Sequence, residues 1–397
     1  MGRTHLIIGA SAAGVSAANR LRMLCPDDKI IIISAESHLP YNKCFLVDHL
    51  IDEKSGEDIQ TLTREMANEK RISLWLGVRV TQVNNTEKTV ICHNGTMVPY
   101  DTLILATGSR PVIPPIKGID QFDNVHTFHT LEDTHTLMNK VKEGSISQAV
   151  VIGGGLSGLE CADALSYHGI QTSVIERADR VLSHQINPGA SQYIQGLMAQ
   201  QGVTFMPHKE VIALEGAGRQ AKRVVLSSGA ALTADLVIIA VGSQPNSEIA
   251  AQPKIELYQG AIAVNEYMQT NIPAIYAAGD VIAVPDIITG KLVRNGTWPD
   301  AMLQGIIAAC HIAGKPRSYP GIAAITSSAF FGAKFAACGP IQQGKTAHIA
   351  TKASENSYEA YLVENDVLKG FTLIGQRLNM GPLKKAILTK TPFNRPF

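Results

Sequence analysis

The chain has 397 residues, 45% of them hydrophobic, and 35 Lys and Arg against 34 Asp and Glu. That length suits two or three domains with an ample core. The balanced charge gives no reason to expect nucleic acid or an anionic membrane as partner, and no apolar run reaches the length of a membrane span.

The opening MGRTHLIIG enters a strand almost at once, which leaves no room for a signal peptide, and Leu6 breaks the myristoylation pattern. Residues 1–36 read strand–helix–strand. Within them HLIIGASAAG, residues 5–14, is a dinucleotide-binding fingerprint with Gly9 and Gly14 at the outer positions and Ser11 in the middle. The first glycine allows a tight turn and the last allows close helix–strand packing. The middle position lets backbone approach a pyrophosphate at the helix N-terminus. Ser11, Ala12 and Ala13 complete the candidate phosphate turn. Glu36, after KIIIIS, is placed to hold ribose hydroxyls. Residues 37–100 are mixed, with a hairpin expected through LWLGVRVTQVNN and TVICHNGTMV. YDTLILATGSRP follows, with Ala106, Thr107 and Gly108 as candidate cofactor-binding residues, and then PVIPPIKG as a linker.

A second strand–helix–strand unit spans residues 148–176. Its fingerprint, AVVIGGGLSG, is complete at Gly153, Gly155 and Gly158, with Glu176 as the following acid. A β-rich stretch leads to ADLVIIAVGSQPN, which contains Gly242, and next comes TNIPAIYAAGDV. A helix is expected from about Trp298 to Ala313. The last segment, about 321–397, alternates as in SYEAYLVENDVLKGFTLIG and reads as an antiparallel sheet. Two fingerprints in one chain imply two nucleotides held together and electron transfer between them. A carboxylate at Glu176 accepts bonds from ribose hydroxyls and repels a 2′-phosphate, which favours NADH. Arg177 beside it keeps NADPH possible.

The six cysteines include no CxxC pair, and the 12 histidines include no HExxH. This argues against a zinc site or a disulfide framework, so no metal is expected and a reducing cytoplasm fits best.

YDTLILATGSRP, ADLVIIAVGSQPN and TNIPAIYAAGDV, in that order around two fingerprints, resemble the pyridine nucleotide–disulfide oxidoreductases, over roughly residues 1–315. The resemblance implies an α/β fold with two Rossmann-like domains: an FAD domain (1–115 and 246–320) split by an inserted NAD(P)H domain (116–245). A small α+β C-terminal domain (321–397) would follow, as the interface of a possible homodimer. It implies FAD on the first domain and NADH, with NADPH possible, on the second. Asp280 would bond the ribityl chain and Gly279 would let it approach. Glu160 matches a family glutamate near the nicotinamide. In some relatives that glutamate pairs with a lysine, whose position here is Asp48 if PYNKCFLVD is aligned with the PYxRPPLSK pattern of carrier reductases.

The acceptor stays open between alternatives. Cys44 in LPYNKCFL has the spacing of the single-cysteine members: coenzyme A disulfide reductases, persulfide reductases, NADH peroxidases and NADH oxidases. There the thiol cycles beside the flavin, and Lys43 would lower its pKa. Cys44 and Glu160 are therefore the candidate catalytic residues. The other reading of Cys44 is packing in place of a carrier-reductase proline. The remaining five cysteines read as buried small hydrophobes. No CxxxxC pair follows the first strand, and TWPDAMLQGIIAA resembles segments of rubredoxin and ferredoxin reductases. Trp298 there lies over the flavin edge or packs at a helix start, and a helix N-terminus near Gln304 would face the reduced flavin. The acceptor is thus a sulfur compound or oxygen species through Cys44, or a small electron carrier such as rubredoxin or ferredoxin. A third reading is a redox sensor that reports NADH.

Overall fold

The strand runs THLII, KIIII and TLIL, and later QAVVI and LVII, are apolar nearly throughout. Strands of parallel sheets are covered on both faces and have no solvent side to alternate with. A computed structural model describes residues 2–294, 296–339 and 347–393, the side chains of 347 and 348 apart. The chain divides into two compact units. One comprises Met1–Phe45, Lys54–Arg110 and Gln244–Ile322; the other comprises Leu46–Glu53, Pro111–Ser243 and Ala323–Phe397.

In the first unit Thr4–Ile8 is the central strand of a five-stranded parallel sheet. The strand order is 275–277, 102–105, 4–8, 29–33, 72–75. Leu6 lies opposite Ile31 on one side and Leu103 on the other, and all three are buried. The helix Ala12–Leu24 packs against the helix Trp298–Ile312. Contact is so close there that a Cβ on Gly305 would fall 2.1 Å from the Ala13 carbonyl oxygen.

The second unit repeats this plan. Its parallel sheet has the order 204–206, 171–175, 148–152, 236–239, 125–127, again with the fingerprint strand in the centre. Each sheet is interrupted by a three-stranded antiparallel meander: 80–84, 89–92 and 97–99 in the first unit, 211–217, 220–226 and 231–233 in the second. The hairpin expected between 74 and 98 is part of the first meander. Leu74 and Trp75, however, belong to the edge strand of the parallel sheet, where Trp75 pairs with Ile33.

The alternating C-terminal segment forms a five-stranded antiparallel sheet in the order 325–330, 333–338, 367–375, 357–364, 347–354. The helix Met380–Thr389 lies on it through Leu383 and Ile387. This sheet is held to the rest of the second unit by side-chain bonds, such as Tyr358 OH donating to Asn187 Oδ1 at 2.8 Å. Among the described residues no helix is long and apolar enough to cross a membrane.

Candidate cofactor sites and the Cys44 turn

The two fingerprints have the same backbone mechanics. Gly9 has φ +112°, and a Cβ there would lie 2.0 Å from the Ala106 carbonyl oxygen; Gly153 has φ +116°, with the Ala240 oxygen at 2.2 Å. Neither place admits a side chain. Gly14 and Gly158 bring each helix onto its own turn, 2.0 Å from the Gly9 and Gly153 oxygens on the same construction.

Ser11 and Gly155 are the N-cap residues of the helices Ala12–Leu24 and Leu156–Tyr167. Neither gives a side-chain cap bond, and neither helix has an acid in its first turn. Elsewhere Thr63, Thr130 and Asn187 cap their helices with side-chain oxygens. The fingerprint helices thus keep their N-terminal N–H groups and positive dipole ends for a ligand, which suits a pyrophosphate at each.

The two acids differ in their surroundings. Glu176 is fixed onto its own fingerprint: Gly154 N–H donates to Oε2 at 2.7 Å and Ala178 N–H to Oε1 at 2.8 Å. Arg177 is exposed. Glu36 accepts from Tyr41 OH at 2.7 Å and has Lys43 Nζ 3.7 Å from Oε1. The sequence offered Lys43 as a cation for Cys44; the structure sets its ammonium beside Glu36. Its charge is shared with Glu36, because a flexible ammonium seeks the carboxylate within reach.

In the first unit the segments before and after the insertion are laced together. Thr107 Oγ1 donates to the Asn246 carbonyl at 2.7 Å, Asn246 N–H to the Gly108 carbonyl at 2.9 Å, and Asn246 Nδ2 to the Thr107 carbonyl at 2.9 Å. This fixes the Ala106–Thr107–Gly108 turn at the carboxyl end of its strand. Gly242 holds the matching place in the second unit, with φ +117°. Gly279 stands next to the first fingerprint helix, its notional Cβ 3.3 Å from Ala13 Cβ. Asp280 beside it accepts from Ser109 Oγ at 3.3 Å, and its carboxylate would collide with any side chain at Gly296. A turn of small residues ending in a carboxylate, next to an uncapped helix, fits a polyhydroxylated dinucleotide such as FAD.

One sequence expectation needs correcting here. Gln304 is not at a helix N-terminus: the helix starts at Trp298, and Gln304 is buried in its interior, accepting from Gly279 N–H at 2.8 Å. It braces the Gly279–Asp280 turn, a role that a side chain reaching across from another element conceals from sequence. Trp298 packs, partly buried, against the core of the first unit. The five other cysteines are buried as expected, but two have polar neighbours. Cys310 Sγ accepts from Arg20 Nε at 3.4 Å, and Cys25 shares a cluster with His5 and Asp28.

Cys44 belongs to the first unit and is exposed. It sits in the short 3-10 helix Lys43–Phe45, its N–H donating to Asn42 Oδ1 at 2.9 Å. Glu160 belongs to the second unit. Ser328 Oγ, from the C-terminal sheet, donates to its Oε1 at 2.5 Å, and Asp48 is the charged neighbour. Burial pushes its carboxyl up to about 7, with Asp48 adding to the effect and Ser328 opposing it. Asp48, the position aligned with the carrier-reductase lysine, is near enough to Glu160 to act on its charge. Ser328 could not be read from sequence, since it reaches Glu160 through a distant strand.

A family model described as pyridine nucleotide-disulphide oxidoreductase matches residues 3–313. The chain belongs to the pyridine nucleotide-disulphide oxidoreductase family. Its relatives include an NADH oxidase of Methanocaldococcus jannaschii, 33% identical over 324 residues, which cover 79% of this chain and 71% of that protein. An NAD(P)H sulfur oxidoreductase (CoA-dependent) of Pyrococcus abyssi is 31% identical over 363 residues, 90% of this chain and 78% of that protein. The crystal structure of NADH:rubredoxin oxidoreductase from Clostridium acetobutylicum matches with a TM-score of 0.81 and 26% identity, covering all of this chain and 97% of that one. Two longer Bacillus subtilis relatives are spanned for 46% and 34% of their own length. As a member of the pyridine nucleotide-disulphide oxidoreductase family, the chain is a flavoprotein that binds FAD and NAD(P)H and acts as an FAD-dependent NAD(P)H oxidoreductase.

Proposed function

We propose that this oxidoreductase passes electrons from NADH through FAD to a sulfur acceptor, such as a disulfide or persulfide, at Cys44. The observation that carries this reading is exposure: Cys44 is in the flavin-binding unit and open to solvent, whereas the other five cysteines are buried. A thiol kept for packing would be covered, whereas a thiol that exchanges with a soluble acceptor must be reachable. The named activity of the Pyrococcus relative agrees with it. Bound FAD would supply the step between two-electron hydride chemistry and the thiol. The chain's own part is to hold the dinucleotides at Ser11 and Gly155, to seat their riboses at Glu36 and Glu176, and to present Cys44. NADH is the donor this reading favours: the Glu176 carboxylate is pinned by backbone amides beside the second fingerprint, and a carboxylate that binds ribose hydroxyls repels a 2′-phosphate.

Anaerobic NADH titration of wild type and Cys44→Ser tests the reading. Wild type should take up electrons beyond those its flavin holds. The variant should take up flavin equivalents alone and lose turnover with coenzyme A disulfide or polysulfide, yet still reduce dyes. Full sulfur turnover in the variant would make Cys44 a packing residue.

A second reading, reduction of a small acidic electron carrier, has its own support. From Val367 to Phe397 there is no Asp or Glu, and Arg377, Lys384, Lys385 and Lys390 are exposed. Such a face attracts an acidic protein. Carrier reduction that slows steeply with salt and with Lys384→Glu would favour it, and insensitivity to both would count against it.

A further inference from the structure

Glu160 follows closely after Gly158 in the helix whose N-terminus is kept open for a pyrophosphate. The helix lays it against the strand Ile325–Phe330, where Ser328 holds Oε1. The proton of a neutral carboxyl is therefore left to Oε2. From the helix Leu46–Leu50 comes Asp48, and from the same helix as Glu160 come Asp163, which accepts from the Phe331 N–H, and the buried thiol of Cys161. His49 turns its ring to His135, with centroids 5.3 Å apart. Among the described residues no lysine or arginine is paired with Glu160. The carboxyl is partly buried beside an acid and a hydroxyl, so it holds a proton near neutrality unless a positive charge is brought beside it.

The two redox forms of nicotinamide differ in that charge: the oxidised ring is a cation and the reduced ring is neutral. We propose that Glu160, with Ser328 and Asp48 as its setting, is a proton-holding group that tells the two forms apart, releasing its proton when NAD⁺ binds and keeping it when NADH binds. This rests on reading the second fingerprint as the nicotinamide dinucleotide site. A pyrophosphate at Gly155 puts the nicotinamide riboside along the carboxyl ends of the strands, within reach of the helix's second turn. The bond that breaks is the O–H of the Glu160 carboxyl; the proton goes to solvent and no electrons move. A lysine at position 48 would hold Glu160 ionised and abolish the discrimination.

The test is titration calorimetry on the oxidised, FAD-loaded protein, in two buffers of different ionisation heat. At about pH 6.5, NAD⁺ should release about half a proton per site, and the non-reducing analogue 1,4,5,6-tetrahydro-NAD should release none. NAD⁺ affinity should rise about tenfold between about pH 5.5 and about pH 8.5. Glu160→Gln should flatten that profile at the weak end, and Asp48→Lys should flatten it at the tight end; retained flavin absorbance shows that each variant is folded. Equal proton release with both ligands, or release that persists in Glu160→Gln, would overturn the proposal. If neither ligand binds at all, the dinucleotide reading itself has failed, which is a different result.

Discussion

The donor prediction rests on one carboxylate, Glu176. Its oxygens are engaged by one backbone amide of the fingerprint turn, at Gly154, and one of its own turn, at Ala178, so it cannot swing away from an incoming 2′-phosphate without breaking two charge-assisted bonds. Glu176→Ala should therefore narrow the preference for NADH over NADPH by about tenfold or more, a change of roughly 1.4 kcal/mol or above. Stopped-flow reduction of the flavin by each donor measures it. A wild-type preference for NADPH would mean that Arg177 governs the site. Gly14 and Gly158 were legible in the sequence because each packs on a residue five positions away, and Gly9 and Gly153 were legible through their fingerprint spacing although the carbonyls they press on, at Ala106 and Ala240, are far off along the chain. Ser328, Asn246 and Gln304 were not legible as partners, because each meets its partner across a long sequence separation that only the fold closes.

At the scale of elements, the open helix termini carry a trade between stability and binding. An acid at Gly155 would cap the helix Leu156–Tyr167, adding up to about 1 kcal/mol, but it would also put negative charge where a pyrophosphate belongs. Gly155→Asp should thus raise or preserve the melting temperature of the protein without nucleotide and abolish NADH binding, while the flavin stays bound. Thermal shift with and without NADH checks both parts, and loss of the flavin as well would show a wider disturbance. The existence and type of most elements could be read, since buried parallel strands are apolar in runs and the fingerprint helices start at glycine-rich turns. The order of strands in each sheet could not be read, and neither could the meander's third strand, because pairing between distant segments leaves little local trace.

Over the whole molecule, partial burial of Glu160 makes stability depend on pH. Its carboxyl is raised from 4.5 to about 7, so between those values the folded protein binds more protons than the unfolded chain. Stability from this group is fully present below the unfolded value and is lost as pH rises through about 7, by roughly 3 kcal/mol in all. Glu160→Gln should match wild type in urea unfolding at about pH 4.5 and exceed it at about pH 8 by about that amount. An equal margin at both pH values would show that the carboxyl is ionised throughout. The division of the first unit has a consequence of another kind, in the time course of synthesis. The strand Thr102–Leu105 is wholly buried in the finished sheet, but its neighbour Ile275–Ala277 comes after residues 111–243 have been made. At elongation rates of about 5 to 20 residues per second the ribosome needs roughly seven to twenty-seven seconds for that stretch. During that interval a bare apolar sheet edge waits for its partner, open to pairing with any other nascent chain nearby.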